Sequence, residues 1–509
     1  MPQIEEKTLI KSEKVVELNN DLEAGSDNDI FNEDQPKATN FLDKIGLRYG
    51  AEVRGIERVS NESRQKTSFL LPLTMFMSPN LAISAISTGA LGPTVYQLDF
   101  WTCVLVIIFW SIIGALPVGL FAIFGAKFGL RQQILSRYFT GGYVARIFSF
   151  FNLLSCIGWN AVNCISSATL LGSLGVPPAV GCVIIAGSTC VIAFFGYKTV
   201  HLYERYSWIP NMVIYLVVIA RLTISHNFSF GSMSAGKVEA GNVLSFTSLI
   251  FGFAAGWAPS AADYFVYMPH DTSSWKIFFC MMIGLSVPCI FSCILGAACA
   301  MGIASDPAWA AGWDKDSIGG LLYEILVIDS LHGFGKFCCV ILALSTIANN
   351  LPGSYSLALS AQAIWSKFAK FPRLGWCLIG NFVSLAFAIP AYYVFEAAMS
   401  NFLSIISYNV SIYLGIALTE HFVYRRGFSG YDVSDFNDHS TVPIGIAGAV
   451  AFACGIVSTV LAMNQTWYQG VISQKFGEAG GDISFELNIA FTFISYNMIR
   501  PFEKKYFGR

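Results

Sequence analysis

Long apolar runs recur along this chain of 509 residues from residue 69 onward. An apolar stretch of about 18 or more residues can cross a bilayer as a single helix. Charged residues make up 13% of the chain, whereas a soluble domain carries about 25%. The pattern therefore predicts an all-α polytopic membrane protein that contacts the lipid bilayer. No basic patch indicates a nucleic-acid partner.

The apolar runs divide into twelve predicted transmembrane helices, called spans 1 to 12 here. They cover residues 69–93, 98–125, 146–173, 178–196, 206–226, 243–267, 276–303, 334–364, 374–395, 401–420, 443–463 and 483–500. Residues 1–66 are rich in acids and contain no apolar run, so we expect a largely disordered cytoplasmic tail. The twelve-helix domain then occupies residues 67–500, and residues 501–509 form a second cytoplasmic tail.

The distribution of Lys and Arg supports this orientation. Cytoplasmic loops carry an excess of both residues. The segments placed outside hold only a few of them: Arg221, Lys237, Lys315, Lys336 and Lys475. The segments placed inside hold more: Lys127, Arg131, Arg137, Arg146, Lys198, Arg205, Lys276, Lys367, Lys370, Arg373, Arg425 and Arg426. Both termini are therefore predicted to be cytoplasmic.

Spans 1 and 6 contain residues that interrupt helices. Span 1 contains Pro79, Gly89 and Gly92, and span 6 contains Gly256 and Pro259. Proline removes a helical donor, and glycine tolerates irregular backbone, so both spans should break near mid-membrane. They lead two consecutive sets of five helices, which predicts a five-plus-five inverted-repeat (LeuT-like) transporter fold with its site at the breaks. The alternative, that Gly and Pro are simply common in membrane helices, stays open.

Span 8 places two amides beside a proline and a glycine in "LALSTIANNLPGSYSLALSAQAIW". These are Asn349, Asn350, Pro352 and Gly353. An unsatisfied polar group in hydrocarbon costs several kcal/mol, so an amide pair is expected there only where it lines a cavity or holds a ligand. We therefore predict that span 8 is also broken, and that its amides face a binding site.

Two tryptophans complete the polar and aromatic residues of the predicted membrane interior. Trp159 and Asn163 are four residues apart and share one face of span 3, and Trp257 follows Gly256. Two indoles can hold a flat ring between them, and amides offer both donors and acceptors. Few charges lie within the spans, which argues against a voltage sensor or a multi-site proton pump. A neutral heteroaromatic solute fits these residues, although packing or an interfacial position remains an alternative for each tryptophan.

Several longer blocks identify a family. They are "STGALGP", "GLRQQILSRY", "IFGFAAGW…AADYFVYMP", "GFGKFCCVILALSTIANNLP", "EHFVYRR", "PIGIAG" and "KYFGR". In these blocks, from residue 60 to its end, the chain resembles the fungal purine-cytosine permeases of the nucleobase-cation-symport-1 family. The resemblance implies twelve helices and import of a small-molecule nucleobase (cytosine, adenine, guanine or hypoxanthine) together with a cation, by alternating access. It also implies a plasma-membrane protein.

The resemblance assigns roles to individual residues. Trp159 and Asn163 would stack on the base and hydrogen-bond to it. Gly256 would supply a backbone contact, and Trp257 a second aromatic wall. The remaining substrate-binding residues implied by the matching positions are Ser84, Asn349, Asn350 and Gly353.

The chain departs from the family pattern near this site. Fungal purine-cytosine permeases tend to have Asn at the position of Gly353, and Ser at that of Ala85. They tend to have hydroxyl residues after the span 6 tryptophan, where this chain has Ala258, Pro259 and Ser260. Each difference removes or moves a polar contact, so another heteroaromatic solute such as pyridoxine stays open.

The resemblance also bears on the cation. Sodium-coupled bacterial relatives use span 8 hydroxyls just before the asparagine, where this chain has Ile347 and Ala348. Ser345 and Thr346 lie slightly off that register. We therefore expect proton coupling, with Asp263 near the end of span 6 as the candidate carrier. An ordinary helix-end or gate charge is the alternative for Asp263.

Other classes of protein fit less well. A non-transporting nutrient sensor on the same scaffold stays open, whereas an enzyme is not expected because no His, Asp or Glu cluster lies in mid-membrane. ATP-driven transport lacks a Walker motif. The thirteen cysteines fall mostly within apolar runs without a CxxC pair, so we expect neither a metal nor another cofactor. The sequence leaves the oligomeric state open.

Overall fold

The computed structural model describes residues 44, 54–64, 71–194, 203, 205–232, 236–434 and 440–509. The predicted disordered tail lies almost entirely outside these residues. The α-helices are numbered in chain order: α1 Leu71–Asn80, α2 Ile83–Thr94, α3 Phe100–Phe128, α4 Gln132–Thr140, α5 Gly142–Ser173, α6 Pro178–Phe194, α7 Trp208–Ser225, α8 Lys237–Ala255, α9 Ser274–Ala300, α10 Pro307–Leu326, α11 His332–Leu344, α12 Ile347–Ile364, α13 Ser366–Ala369, α14 Arg373–Ala391, α15 Phe395–Thr419, α16 Ile446–Ala462 and α17 Ser484–Phe507.

Each of the twelve predicted spans coincides with one helix or with one broken helix. Span 1 is α1 with α2, span 6 is α8 with the 3₁₀ segment Ala258–Tyr264, and span 8 is α11 with α12. By length and hydropathy, seven helical segments of the described part could cross a membrane, and α6 and α16 are shorter apolar helices. The only strands of the described part, β1 (Asn464–Gln465) and β2 (Tyr468–Gln469), form a small antiparallel hairpin.

The loops gather at two ends of the bundle. One end, called the terminal face, holds residues 54–64, 129–141, 263–273, 425–434 and 500–509. The other end, called the opposite face, holds residues 95–99, 226–232, 301–331 and 463–483. Residues 54–64 are docked on the terminal face. Arg58 donates to the carbonyl oxygens of Phe128 and Val433, and Arg64 donates to that of Ala126.

Spans 1 and 6 are broken, as the sequence predicted. The chain is extended at Ala82 (φ −127°, ψ 156°), between α1 and α2. Gly89 and Gly92 do not cause this break, because both lie inside the continuous helix α2. Gly89 instead allows close packing: a Cβ atom there would lie 1.8 Å from the carbonyl oxygen of Cys293 on α9.

Span 8 is broken at a different place from the one predicted. The interruption lies at Ser345 and Thr346, and α12 then runs through Pro352 and Gly353 without a break. The Thr346 carbonyl oxygen accepts hydrogen bonds from both following asparagine N–H groups, which begins the new helix. A proline removes only one helical donor, and neighbouring groups can make this tolerable in a membrane helix.

Three helices between spans were not predicted, and the shortest of them is α13, between spans 8 and 9. Helix α4 connects spans 2 and 3 on the terminal face, and α10 connects spans 7 and 8 on the opposite face. At the centre of the bundle, α5 packs along α12, and α8 packs against α15. The absence of a side chain at Gly252 allows this second approach, since a Cβ atom there would lie 2.3 Å from the Leu403 carbonyl oxygen. These four helices surround the candidate site.

Candidate functional site

A narrow cavity of about 30 Å³ lies between α5, α12 and the break in span 6. Five of the eight predicted substrate-binding residues line it: Trp159, Gly256, Trp257, Asn349 and Gly353. The structure thus brings together residues that are nearly two hundred positions apart in the chain. Asn163, Asn350 and Ser84 do not line the cavity.

The two tryptophans approach the cavity from different helices. Trp159 packs edge-to-face on Phe253 and Phe402, with ring centroids 5.6 and 5.3 Å apart. Trp257 packs in the same way on Phe76 at 5.2 Å. Aromatic neighbours in this arrangement hold an indole in place without covering all of its surface. Each indole therefore has a fixed wall behind it and a free edge at the cavity.

Gly256 allows the two aromatic walls to meet the broken backbone. A Cβ atom at this position would lie 3.5 Å from Trp159 Nε1 and 3.3 Å from Ile406 on α15. The α8 helix ends just before it, at Ala255, and the 3₁₀ segment begins at Ala258. The indole N–H of Trp159 therefore lies near the backbone of the span 6 break.

The three predicted asparagines form one hydrogen-bonded cluster. Asn163 Nδ2 donates to Asn349 Oδ1 at 3.0 Å and to Asn350 Oδ1 at 2.9 Å. Asn349 Nδ2 donates to the Pro79 carbonyl oxygen at 2.9 Å. Asn349 alone of the three reaches the cavity. The other two lie behind it and fix the orientation of its side chain.

The amide cluster also stabilises the break in span 1. Four side chains from other helices satisfy the backbone groups that this break frees. Besides Asn349, they are Ser345 Oγ, which accepts from the Ile83 N–H, Tyr215 Oη, which donates to the Ala82 carbonyl, and Ser292 Oγ, which donates to the Asn80 carbonyl. Buried backbone groups need such partners. The polar residues of span 8 therefore support an irregular backbone in addition to facing the cavity.

Ser84 lies in α2, away from the cavity. It is buried, and its hydroxyl has no hydrogen-bond partner among the described residues. Ala85 beside it is also buried. The structure therefore does not bring the span 1 serine into contact with the cavity.

Sequence reasoning missed several polar residues of the cavity wall, notably Asn152 and Ser356. Asn152 Nδ2 donates to Ser356 Oγ at 3.2 Å and to Ser360 Oγ at 2.8 Å. Helical spacing could have found both residues. Asn152 precedes Trp159 by seven positions, and Ser356 follows Asn349 by seven, so each shares a helix face with a predicted residue.

Asp263 lies at the terminal-face end of the site and is 1% exposed. Its Oδ1 accepts from the Gln132 N–H, at the start of α4, at 2.7 Å, and its Oδ2 accepts from Ser356 Oγ at 3.4 Å. Arg131 donates to its carbonyl oxygen at 2.8 Å. The N-terminus of a helix stabilises a nearby negative charge. Ser356 therefore connects the cavity to a buried acid that is held by α4.

The span 8 hydroxyls considered for sodium are already engaged. Thr346 Oγ1 and Ser167 Oγ are hydrogen-bonded at 2.6 Å. Ser345 Oγ donates to the Leu342 carbonyl at 2.6 Å while it accepts from Ile83. Both hydroxyls thus serve the packing of the broken helices.

A helical bundle with breaks in spans 1 and 6, and with a cavity at one of them, defines a transporter of the LeuT-like class. Solved structures share this fold. Mhp1, a nucleobase-cation-symport-1 family transporter in a closed conformation with bromovinylhydantoin bound, superposes with a TM-score of 0.66. It is 13% identical, and the match covers 90% of this chain and 96% of Mhp1. A Na⁺-coupled sialic acid symporter superposes with a TM-score of 0.57 at 12% identity, over 90% and 94% of the two chains.

Sequence comparison defines the family. Residues 58–475 match the model of the permeases for cytosine/purines, uracil, thiamine and allantoin. The chain is 47% identical to the purine-cytosine permease FCY2 of Saccharomyces cerevisiae, over 98% of this chain and 96% of FCY2. It is 41% identical to the purine-cytosine permease fcyB of Emericella nidulans over 92% of each chain, and 28% identical to the vitamin B6 transporter TPN1 of Saccharomyces cerevisiae over 92% and 90%.

The chain therefore belongs to the fungal purine-cytosine permeases of the nucleobase-cation-symport-1 family, as its sequence blocks predicted. It is a multi-pass membrane transporter and not an enzyme.

Proposed function

We propose that this permease imports neutral nucleobases such as cytosine, adenine, guanine and hypoxanthine across the plasma membrane. The observation that carries the proposal is the cavity with Trp159 and Trp257 on its walls and the Asn349 amide at its edge. Two indoles suit a flat heteroaromatic ring, and an amide can pair with its donors and acceptors. The relatives named purine-cytosine permeases share 41–49% identity with this chain, against 28% for the vitamin B6 transporter.

The dimensions of the cavity fit a mechanism of alternating access. A volume of 30 Å³ accommodates about two water molecules, since one water needs about 10–15 Å³ by the same measure. A nucleobase requires the walls to separate. Phe402 and Ile406 place α15 against Trp159 and Gly256, so a movement of α15 relative to α8 would widen the cavity.

We propose a proton as the coupled cation, with Asp263 as its candidate carrier. Ser356 Oγ supports this choice because it lines the cavity and also donates to Asp263 Oδ2. Substrate in the cavity and charge on Asp263 would then influence each other through one hydroxyl. In this proposal the terminal face is cytoplasmic, so Asp263 lies toward the cell interior.

Gly353 is the departure from the family pattern that bears most directly on specificity. A Cβ atom at this position would lie 2.9 Å from Asn160 Oδ1, which has no hydrogen-bond partner among the described residues. An asparagine side chain there would have to displace Asn160 or pair with it. We expect Gly353→Asn to change the relative affinity for nucleobases more than the transport rate.

Uptake of labelled cytosine tests the proposal in cells that lack their own nucleobase permeases. Adenine, hypoxanthine, uracil and pyridoxine serve as unlabelled competitors, at acid and at neutral external pH. We expect uptake that is faster at acid pH and is blocked by purines. In Asn349→Ala, whose surface level is checked with a tag, uptake should fall by up to about 10⁴-fold, as in sites built to hydrogen-bond a substrate.

Three results would contradict the proposal or a part of it. Absence of cytosine uptake by wild-type protein at the cell surface would exclude cytosine as a substrate, and labelled pyridoxine would then test the vitamin B6 alternative. Absence of uptake of either compound would favour a nutrient sensor. A dependence on sodium instead of pH would contradict proton coupling alone and leave the substrate unaffected.

A further inference from the structure

A second buried aspartate, Asp482, lies on the opposite face in the loop before α17 and is 1% exposed. Its Oδ2 accepts from Tyr408 Oη of α15 and from the Asn464 N–H at 3.3 Å, and its Oδ1 accepts from the Ser484 N–H at 3.0 Å. Its own N–H donates to Ser245 Oγ of α8 at 3.1 Å. This one residue therefore ties together α15, α8 and the start of α17.

No positive group balances Asp482. Among the described residues, no Lys, Arg or His forms an ion pair with it. The titratable groups that interact with it are Tyr408 from α15, Tyr96 from the loop after α2 and Glu486 from α17. Helix α8 contributes the Ser245 hydroxyl, and the hairpin contributes neutral amides. Burial raises the pKa of the Asp482 carboxyl above its usual range.

Two buried acceptors in this cluster lack a donor. Glu486 Oε2 and Gln465 Oε1 are buried and accept no hydrogen bond from any described residue. Gln465 is 8% exposed, and its Nε2 donates to Tyr408 Oη at 2.5 Å, so its unpaired oxygen belongs to the same cluster. Leaving a buried acceptor unpaired costs about 1–3 kcal/mol, and more if it is charged. A proton on one carboxyl would supply a donor and remove one of two neighbouring negative charges.

The terminal face contains a buried carboxylate that is paired with cations. Glu420 is fully buried and accepts from Arg500 Nε at 3.0 Å, from Arg500 Nη2 at 2.9 Å and from Arg425 Nε at 3.0 Å. Two guanidinium groups thus contact this carboxylate. The Asp482 cluster has two carboxyl groups and no cation among the described residues. A bound proton is the counter-charge that suits it.

We infer that Asp482, together with Glu486 one helical turn later, forms a proton-binding site that takes up one proton and fixes the opposite-face end of α15. The same end of α15 is tied to the loop after α2, where Tyr96 Oη and Ser400 Oγ are hydrogen-bonded at 2.8 Å. Helix α15 also carries Phe402, which packs on Trp159 in the cavity wall. Loss of the proton would place two like charges in this cluster, loosen the end of α15 and slow transport.

Equilibrium exchange of labelled cytosine in proteoliposomes tests this site. With the same buffer on both sides there is no proton gradient, so pH acts only through groups on the protein. We expect wild-type exchange to fall by about tenfold for each pH unit above the pKa of the site. Glu486→Gln, which resembles a protonated carboxyl, should keep its exchange rate at alkaline pH. Glu478 is an exposed acid in the loop that also contains Asp482. Glu478→Gln is therefore the matched control and should keep the wild-type pH profile of exchange.

An unchanged alkaline fall of exchange in Glu486→Gln would overturn the inference. Restoration of wild-type exchange at alkaline pH by sodium would also overturn it, because the site would then bind sodium. The experiment relies on the proposed function for its probe, and an absence of wild-type cytosine exchange at every pH would contradict that function instead.

Thermal stability of the purified protein provides a readout without substrate. A carboxyl whose pKa is raised in the folded state makes the protein less stable as pH rises from its unfolded pKa to its folded pKa. The melting temperature of the wild type should therefore fall toward alkaline pH, and that of Glu486→Gln should fall less. Equal slopes for the two proteins would overturn the inference.

Discussion

Asp263 and Asp482 are both 1% exposed, and each is linked to a tyrosine of α15, but their neighbouring groups differ. Asp263 accepts from the Gln132 N–H at the N-terminus of α4, and Gln132 Nε2 donates to Tyr413 Oη at 2.8 Å. Asp482 accepts directly from Tyr408 Oη and has a second acid, Glu486, as its neighbour. Both carboxylates accept from the first N–H of a helix, and Asp482 in addition has a second acid beside it.

The difference separates two tasks that a buried acid can perform in a transporter. Asp263 is hydrogen-bonded to a hydroxyl of the cavity wall, so its charge can respond to substrate. Asp482 is linked to the helices around the cavity through Tyr408 of α15 and Ser245 of α8. We therefore expect substitutions near Asp263 to change coupling, and substitutions near Asp482 to change the dependence of transport on pH.

The largest effect is expected for Asp263→Asn. A coupled proton that crosses 100 mV contributes about 2.3 kcal/mol, or roughly fiftyfold accumulation. The variant should lose this accumulation and retain equilibrium exchange, because asparagine keeps the size of the side chain and an acceptor for Gln132. Concentrative uptake and exchange are compared in the same vesicles. Asp271→Asn, at an exposed position of the same face, is the control. Full accumulation by Asp263→Asn would exclude Asp263 as the proton carrier.

The two tyrosines of α15 give a matched pair of substitutions. Tyr408→Phe removes a hydrogen bond to a carboxyl group, with a cost of about 1.5–3 kcal/mol if that group is charged. Tyr413→Phe removes neutral hydrogen bonds to Gln132 and Ser136, worth about 0.5–1.5 kcal/mol each. Thermal unfolding measures the stability of both variants. Only Tyr408→Phe should also shift the pH profile of exchange, and equal shifts would remove the distinction between the two clusters.

The terminal face should be sensitive to acid. His421 lies just beyond α15, is 3% exposed and packs edge-to-face on Phe124, and burial lowers its pKa to about 4. Because the unfolded histidine binds a proton more readily, stability should be lost as pH falls from about 6.5 to about 4, by on the order of 1–3 kcal/mol. His421→Phe should flatten this acid limb of the melting curve against pH and leave the alkaline limb unchanged. An unaltered acid limb would exclude His421 as its cause.

The smallest effect is expected for the double variant of the Asp263 and Asp482 clusters. We expect the two clusters to contribute independently to the stability of the protein. Substitutions that share no partners are usually additive within about 0.3–0.5 kcal/mol. The stability changes of Asp263→Asn and Glu486→Gln should therefore sum in the double variant. Denaturation of the two single variants and the double variant measures the coupling. An interaction above about 0.5 kcal/mol would show that α15 transmits the state of one cluster to the other.

Much of the fold follows from hydropathy, because a bilayer requires long apolar helices. The twelve spans were predicted on that basis, and the breaks in spans 1 and 6 were predicted from their proline and glycine residues. Proline and glycine were poorer guides to where the helices break. Gly89 lies inside a continuous helix, where it makes room for the Cys293 backbone, and α12 continues through Pro352. Helix α4 was missed because its polar residues were interpreted as loop charges.

The candidate site was predicted in part. Trp159, Trp257 and Asn349 stood out because polar and aromatic groups are conspicuous within apolar runs, and these residues do line the cavity. The arrangement of the amides was not predictable, since it depends on which backbone groups the break in span 1 frees. Pairings between distant residues, such as that of Tyr408 with Asp482, have no local signal in the sequence.

Binding of cytosine to the purified permease tests most directly whether this cavity is the nucleobase site. A ligand that binds the folded state stabilises it by about 2.7 kcal/mol at a concentration one hundred times its Kd. We predict that cytosine raises the melting temperature of the wild type and of Ser84→Ala, whose side chain lies outside the cavity, and leaves that of Asn349→Ala unchanged. Equal stabilisation of all three proteins, or stabilisation of the wild type by pyridoxine but not by cytosine, would contradict this account.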